Sequence, residues 1–356
     1  MKRVLALILA LVMALALTAC GNNAPATTES AAPEATEAPA TDESAAPADE
    51  STAPAEGKTY KVAMVCDSSI SDGGWGAACY NAMVKAAEDL GWESAYTDSI
   101  DVADYVSSIE SYCQLGYDMI FLPGNQYSDA TKQVAADYPD IAFAVLNGAE
   151  SLPTDNIMSM LPNAQEIGWI AGSLAGLMSK SNVLGFIGGM ELDTTKTKLA
   201  SYEEAAKFIN PDIKVLSAYA GSFSDTAKGM ELANSMISEK ADVFFGDASA
   251  VDSGARQAID SANGEGEIGI YDIGQPADLL GQNPCVISSV VTDNAGMLKI
   301  CMQAAADGTF GNQVVYGSLE NGCLSVGQIN TELVSQEVQD KFMEYVEQMK
   351  AGSFMK

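Results

Sequence analysis

Residues 60–97 read YKVAMVCDSSISDGGWGAACYNAMVKAAEDLGWESAYT. The run 60–66 is short and apolar, as in a strand covered on both faces. A polar, glycine-rich loop follows over 67–76. Apolar residues then recur at three- and four-residue steps through 77–90, the period of a helix with one buried face. Gly91 is a stop signal, and residues 93–97 return to a strand pattern. Strand, helix and strand in this order build a parallel sheet with helices on its faces.

Toward the C-terminus the alternation continues. Helical periods cover 102–115 and 128–137, with strands at 119–122 and 141–146. A second series follows Asn163, with helices at 164–178, 197–208, 226–238 and 251–262. Its strands lie at 183–187, 214–219, 243–246 and 268–271. A strand at 286–291, a helix at 295–306 and a terminal helix at 336–349 complete the chain. Two βα series of similar size predict two sheets, hence an α/β protein of two lobes. Open α/β sheets bind ligands beyond the carboxyl ends of their strands. The stretches to inspect are therefore 67–76, 123–127, 147–150, 188–191, 221–225, 247–250, 272–275 and Thr292.

Toward the N-terminus, Lys2 and Arg3 precede an uncharged apolar run, 4–17, ending in Leu17-Thr18-Ala19-Cys20. The run is shorter than the roughly 20 residues that span a bilayer and suits a signal peptide over 1–19. Small residues before Cys20 form a lipobox, with cleavage before Cys20 and a diacylglycerol on its sulfur. Two acyl chains are enough for stable anchoring. After Cys20, residues 21–57 are mostly Ala, Pro, Thr, Ser and acids with no Lys, Arg or aromatic residue, so 20–57 reads as a lipidated Cys and an extended tether that cannot bury a core.

The chain has 18 basic and 48 acidic residues. Setting aside Lys2, Arg3 and the eight acids of the tether leaves 16 against 40. That excess argues against nucleic acid, whose affinity comes from neutralising phosphates. Seven cysteines include Cys20, and no two form a Cys-x-x-Cys pair. Zinc sites need Cys or His clustered at short spacing, a pattern this chain lacks, and with no histidine no Ser-His or Cys-His pair can be built. The expectation is a binding protein with no cofactor, metal or catalytic residue.

The strand-end stretches instead offer two aromatics, Trp75 and Phe223, several carboxylates, the amide of Asn147, and glycines that admit a close backbone. Flat rings stack on such aromatics, and Asp and Asn read hydroxyls and ring nitrogens.

Four separated segments, DSSISDGGW at 67–75, LGFIGGM at 184–190, GSFSDTAKG at 221–229 and IGIYD at 268–272, resemble the basic membrane protein family. These are lipoprotein substrate-binding proteins of ABC importers, several of which bind purine nucleosides. The resemblance spans 58–356. It implies a type I periplasmic-binding-protein fold with two Rossmann-like lobes and a ligand cleft between them. Three crossings are expected near 151–163, 274–287 and 317–327. One lobe would comprise 58–159 with 290–318, and the other 160–289 with 319–356.

Position by position, the resemblance implies a base stacked between Trp75 and Phe223, and a ribose held by Asp272. Asp67 and Asp72 belong to the loop after the first strand. Where the family has Asn after the stacking aromatic, this chain has Gly76. Where the family has a base-reading Asp, it has Asn147. Asp247 heads the turn in which Ala248-Ser249-Ala250 replaces a glycine-rich sequence. Thr292 stands where a ribose-assisting Lys is usual, which leaves Asp272 without that cation. The expected ligand contacts are Asp67, Asp72, Trp75, Asn147, Phe223, Asp247, Ser249, Asp272 and Thr292. The expected role is extracytoplasmic capture of a nucleoside-like molecule for an ABC permease, by a lipid-anchored monomer on the outer face of the cell membrane. The alternatives are a cationic heterocycle or sugar as ligand, in import or in sensing, and a structural lipoprotein.

Overall fold

The computed structural model describes residues 58–71, 75–266 and 268–352. Cys20, the signal peptide, the tether up to Gly57 and the loop residue Asp72 lie outside the described residues.

The first series runs β1 (Lys61–Val65), α1 (Trp75–Leu90), β2 (Glu93–Thr97), α2 (Tyr105–Gln114), β3 (Met119–Pro123), α3 (Ser128–Asp137), β4 (Ala142–Leu146) and β5 (Ile157–Pro162). The second runs α4 (Ala164–Met178), β6 (Val183–Gly188), α5 (Asp193–Ile209), β7 (Lys214–Tyr219), α6 (Thr226–Ser238), β8 (Val243–Asp247), α7 (Ala250–Asn263), β9 (Tyr271–Gly274) and β10 (Val286–Thr292). The chain closes with α8 (Asn294–Ala306), β11 (Val314–Gly317), β12 (Leu324–Val326) and α9 (Gln336–Lys350). Among the described residues two six-stranded sheets result, ordered β11-β5-β4-β3-β1-β2 and β12-β10-β9-β8-β6-β7. Only the β10–β12 pair is antiparallel among the described strands.

Apolar side chains cover both faces of each sheet, as the unbroken burial of β3 and β4 requires. In the first sheet Val62, Met64 and Phe121 face α1 and α8, while Val65, Ile120 and Leu122 face α2 and α3. In the second, Leu184, Phe186 and Phe245 meet α4, α5 and α9, and Ile187 and Phe244 meet α6 and α7. All six cysteines of the folded part are buried, as small apolar residues are.

Three features differ from the sequence pattern. Residues 157–162, expected as part of a crossing, form β5 inside the first sheet, and the edge strands β11 and β12 had no legible period. The strand expected at 268–271 is β9, three residues further on, because its ladder with β8 pairs Val243 with Tyr271. The crossing expected near 274–287 comes at Asp293 instead. β10 stays in the second sheet, and the next helix, α8, joins the core of the first through Met297, Leu298 and Cys301. The other two crossings are Asn163, between β5 and α4, and residues 318–323, between β11 and β12.

Candidate ligand-binding site

Each crossing leaves from the carboxyl end of a strand, and backbone hydrogen bonds bundle the three. Asn163 N–H donates to the Gly317 carbonyl, Asp293 N–H to Cys323, and Leu324 N–H to Ser318, at 2.8, 2.8 and 3.0 Å. Both carboxyl edges therefore open toward one junction, the position for ligand in open α/β sheets. Two of the crossing residues also start helices. Asn163 Oδ1 accepts the Gln165 and Glu166 N–H groups, and Asp293 Oδ1 accepts Gly296 N–H. Glu166, buried beside the third crossing, accepts Leu319 N–H at 2.7 Å. Burial pushes its carboxyl above the usual range, although the Leu319 N–H opposes it.

On the first lobe, Trp75 opens α1 and its Nε1–H donates to the Pro123 carbonyl at the end of β3, 3.1 Å away. That bond lays the indole across the carboxyl edge with 36% of the residue exposed. Gly76 follows because nothing larger fits: a Cβ there would sit 2.3 Å from the Ser69 carbonyl oxygen. The same contact accounts for glycine where the family resemblance implies Asn. Asp67, directly beyond β1, is spent within the lobe. Its Oδ2 accepts Tyr105 Oη at 2.8 Å and Gln126 Nε2 at 2.9 Å, and Oδ1 accepts Ser68 Oγ at 3.3 Å. Burial, with help from Asp67, pushes the Tyr105 phenol up to about 12. Asn147 is exposed at the end of β4 with a φ of 55°, a left-handed conformation that Asn tolerates well.

On the second lobe, Phe223 projects from a turn set by Ser222. The Ser222 hydroxyl accepts the Ser224 and Asp225 N–H groups, and Asp225 caps α6. The ring is 42% exposed and lies on Gly189, where a Cβ would come within 2.4 Å of it. Gly189 N–H donates to the Asp247 carbonyl, which ties the aromatic turn to the end of β8. The Asp247 carboxylate accepts Lys198 Nζ at 2.7 Å and Thr195 Oγ1 at 2.6 Å. Gln275, just past β9, donates to the Gly246 carbonyl and to Asp247, and accepts from Lys198 at 3.2 Å. Lys198 is placed by close helix packing: a Cβ at Gly168 of α4 would lie 2.3 Å from the Lys198 carbonyl oxygen. Ser249 is exposed, with φ 57° and ψ −117°, a conformation costly for any residue but glycine. Thr292 is half-buried at the end of β10, its N–H bonded to the Pro276 carbonyl.

Asp272 is a correction. The sequence pattern predicts it just after a strand, facing the cleft without a balancing cation. It lies inside β9, buried, with Oδ2 2.8 Å from Arg256 Nε. Burial pushes the Asp272 carboxyl up, and the charge and hydrogen bond of Arg256 oppose it. Burial likewise works against the charged guanidinium, yet Asp272 holds Arg256 above its ordinary value. The pair is internal bracing, so the need for a cationic ligand disappears.

The structure thus brings Trp75, Asn147, Phe223, Asp247, Ser249 and Thr292 to the two carboxyl edges, and withdraws Asp272. Lys198, Thr195 and Arg256 lie on helices, outside the strand-end stretches, where the sequence carries no signal for them. Gln126 and Gln275 fell within those stretches, but amides there carry no pattern. A groove of about 430 Å3 is lined by Lys85 and Asp89 of α1 and Lys299 and Gln303 of α8, and reaches the crossings at Asp293 and Cys323.

A family model described as "Bmp: ABC transporter substrate-binding protein PnrA-like" matches residues 59–353. Basic membrane protein A of Borreliella burgdorferi is 31% identical over 244 residues, 67% of this chain and 70% of that protein. The ABC transporter nucleoside-binding protein BmpA of Lactococcus lactis is 30% identical over 258 residues, 69% of this chain and 72% of that one. A solved ABC transporter solute-binding protein from Aeropyrum pernix superposes with a TM-score of 0.67 at 21% identity, covering 82% of this chain and 92% of that chain.

Proposed function

Because the chain belongs to the Bmp family of ABC transporter substrate-binding proteins, we propose that it captures a nucleoside-like molecule between its lobes and presents it to an ABC permease. The observation that carries this reading is the pair of exposed rings, Trp75 at the start of α1 and Phe223 in the turn before α6, held at the strand ends of different sheets. Lobes closing over a flat heterocycle would place it between these rings, with the area and stacking gain that aromatics provide. Trp75 is held by its bond to Pro123 and Phe223 by the Ser222 turn, so little ordering cost attends binding.

Asn147 presents an amide beside the first platform, suited to a base edge, and Ser249 and Thr292 flank the second lobe's edge. The protein binds and releases without chemistry. The lipobox at Cys20 tethers it to the extracytoplasmic face of the membrane, as a monomer near its permease. Among the described residues no helix is long and apolar enough to cross a membrane. Neutral ligands rank above cationic ones, since Arg256 already balances Asp272.

Calorimetric titration with inosine, guanosine, adenosine and cytidine tests the proposal. At least one should bind with micromolar or tighter affinity. If none binds while a sugar or a cationic heterocycle does, the nucleoside reading is overturned.

A further inference from the structure

With Asp272 turned inward, the groups at the ends of the second sheet's central strands β8 and β9 are Asp247 and Gln275, joined there by Lys198 and Thr195 from α5. We propose that Lys198 and Asp247 form a fork that reads two neighbouring hydroxyls of the ligand's sugar. Asp247 would accept from one hydroxyl and Lys198 donate to the other. The inference rests on the nucleoside reading above and deepens it.

The hydrogen-bonding capacity of the pair supports this. An ammonium has three N–H groups. Lys198 directs two of them at Asp247 Oδ1 and Gln275 Oε1, which leaves one. A carboxylate offers about four acceptor positions. Asp247 uses three, for Lys198, Thr195 and Gln275 Nε2, which leaves one. One donor and one acceptor thus remain on groups whose facing atoms are 2.7 Å apart. Each hydroxyl of a diol both donates and accepts, so the two can satisfy both. A lone carboxylate would favour a cation and a lone ammonium an anion; the neutralised pair favours neither and fits a neutral polyol. The side chains are largely buried but not sealed, at 13% and 20% exposure.

The fork is rigid and stands next to a stacking ring. Gln275 is anchored on the Gly246 carbonyl, Thr195 holds the second Asp247 oxygen, and Gly168 seats Lys198. Gly189 bears the Phe223 ring and also donates to the Asp247 carbonyl. A base on Phe223 would therefore carry its sugar toward Asp247 and Lys198. Preorganised donors and acceptors of this kind discriminate strongly against a ligand that lacks the hydroxyl, because their desolvation is then not repaid.

The test titrates the detergent-solubilised full chain with inosine, guanosine, adenosine and cytidine, each beside its 2′-deoxy form and its free base. The parent protein should bind the ribonucleoside about ten- to a hundredfold tighter than the deoxy form, as for a charge-assisted hydrogen bond. Lys198→Met and Asp247→Asn should collapse that ratio toward one, costing the ribonucleoside far more affinity than its deoxy form or free base, an effect that general destabilisation would not produce. Equal affinity of the parent for ribo and deoxy forms overturns the fork without any variant. So does a ratio that survives in both variants, and in either case nucleoside capture stands. Binding of no nucleoside and no base removes the nucleoside reading, and the fork with it.

Discussion

Replacing Arg256 by Met removes the cation from the Asp272 carboxylate and keeps most of the side-chain volume. The two side chains are 12% and 6% exposed, with Nε and Oδ2 at 2.8 Å. Breaking such a buried pair on one side costs about 3–5 kcal/mol, mainly for the charge left behind. For a chain of this size roughly 2 °C of melting temperature corresponds to each kcal/mol, so the loss should be about 6–10 °C. Burial already raises the Asp272 carboxyl, and Arg256 opposes that shift. Without Arg256 the folded-state value rises further above the unfolded one. The folded protein then holds a proton that the unfolded chain has lost, so stability falls as pH rises through that window. Calorimetric melting across pH should show Arg256→Met most destabilised at the alkaline end. Adding Asp272→Asn should recover part of the loss, because the uncompensated charge is gone. A variant that melts with the parent at every pH, or an Asp272→Ala protein that loses ligand binding without losing stability, would return Asp272 to the cleft and refute the bracing role.

Asp252 is buried in α7, with Oδ2 on the Ala248 N–H, and burial, against that bond and Arg256, pushes its carboxyl up to about 7. The unfolded carboxyl titrates near the ordinary value of about 4, so this group's contribution declines as pH climbs from about 4 to about 7 and is flat above. Denaturant midpoints across that window should show the decline in the parent and a flatter profile in Asp252→Asn. Trp75→Ala should weaken nucleoside binding by on the order of 1–3 kcal/mol with little change in melting, since the ring is already partly wet; severe destabilisation with unchanged affinity would assign it to the core. Gly76→Asn should lower the melting temperature, because its Cβ meets the Ser69 carbonyl oxygen at 2.3 Å. Cys20→Ser should move the protein from the membrane fraction to the soluble one, as read by fractionation.

Local periodicity was enough for most of the layered frame. The strand at 93–97 and the helices at 128–137, 164–178 and 226–238 occupy the expected residues; the helices at 128–137 and 226–238 each bury one face, so their apolar side chains recur about every 3.6 residues. The two exposed rings were legible as strand-end aromatics too: a tryptophan after a run of glycines, and a phenylalanine between serines ahead of Asp225, stand out within a few residues. Other features carry no local signal. β5, β11 and β12 are six, four and three residues long, and only their ladder partners make them strands. The shift of β9 follows from its pairing with β8, and it turned Asp272 from a cleft residue into an internal one. Lys198 finds Asp247 across 49 positions and Arg256 finds Asp272 across 16. A charge in sequence says nothing of its partner, because Coulomb energy depends on distance and burial, and both are set by how helices and sheets pack.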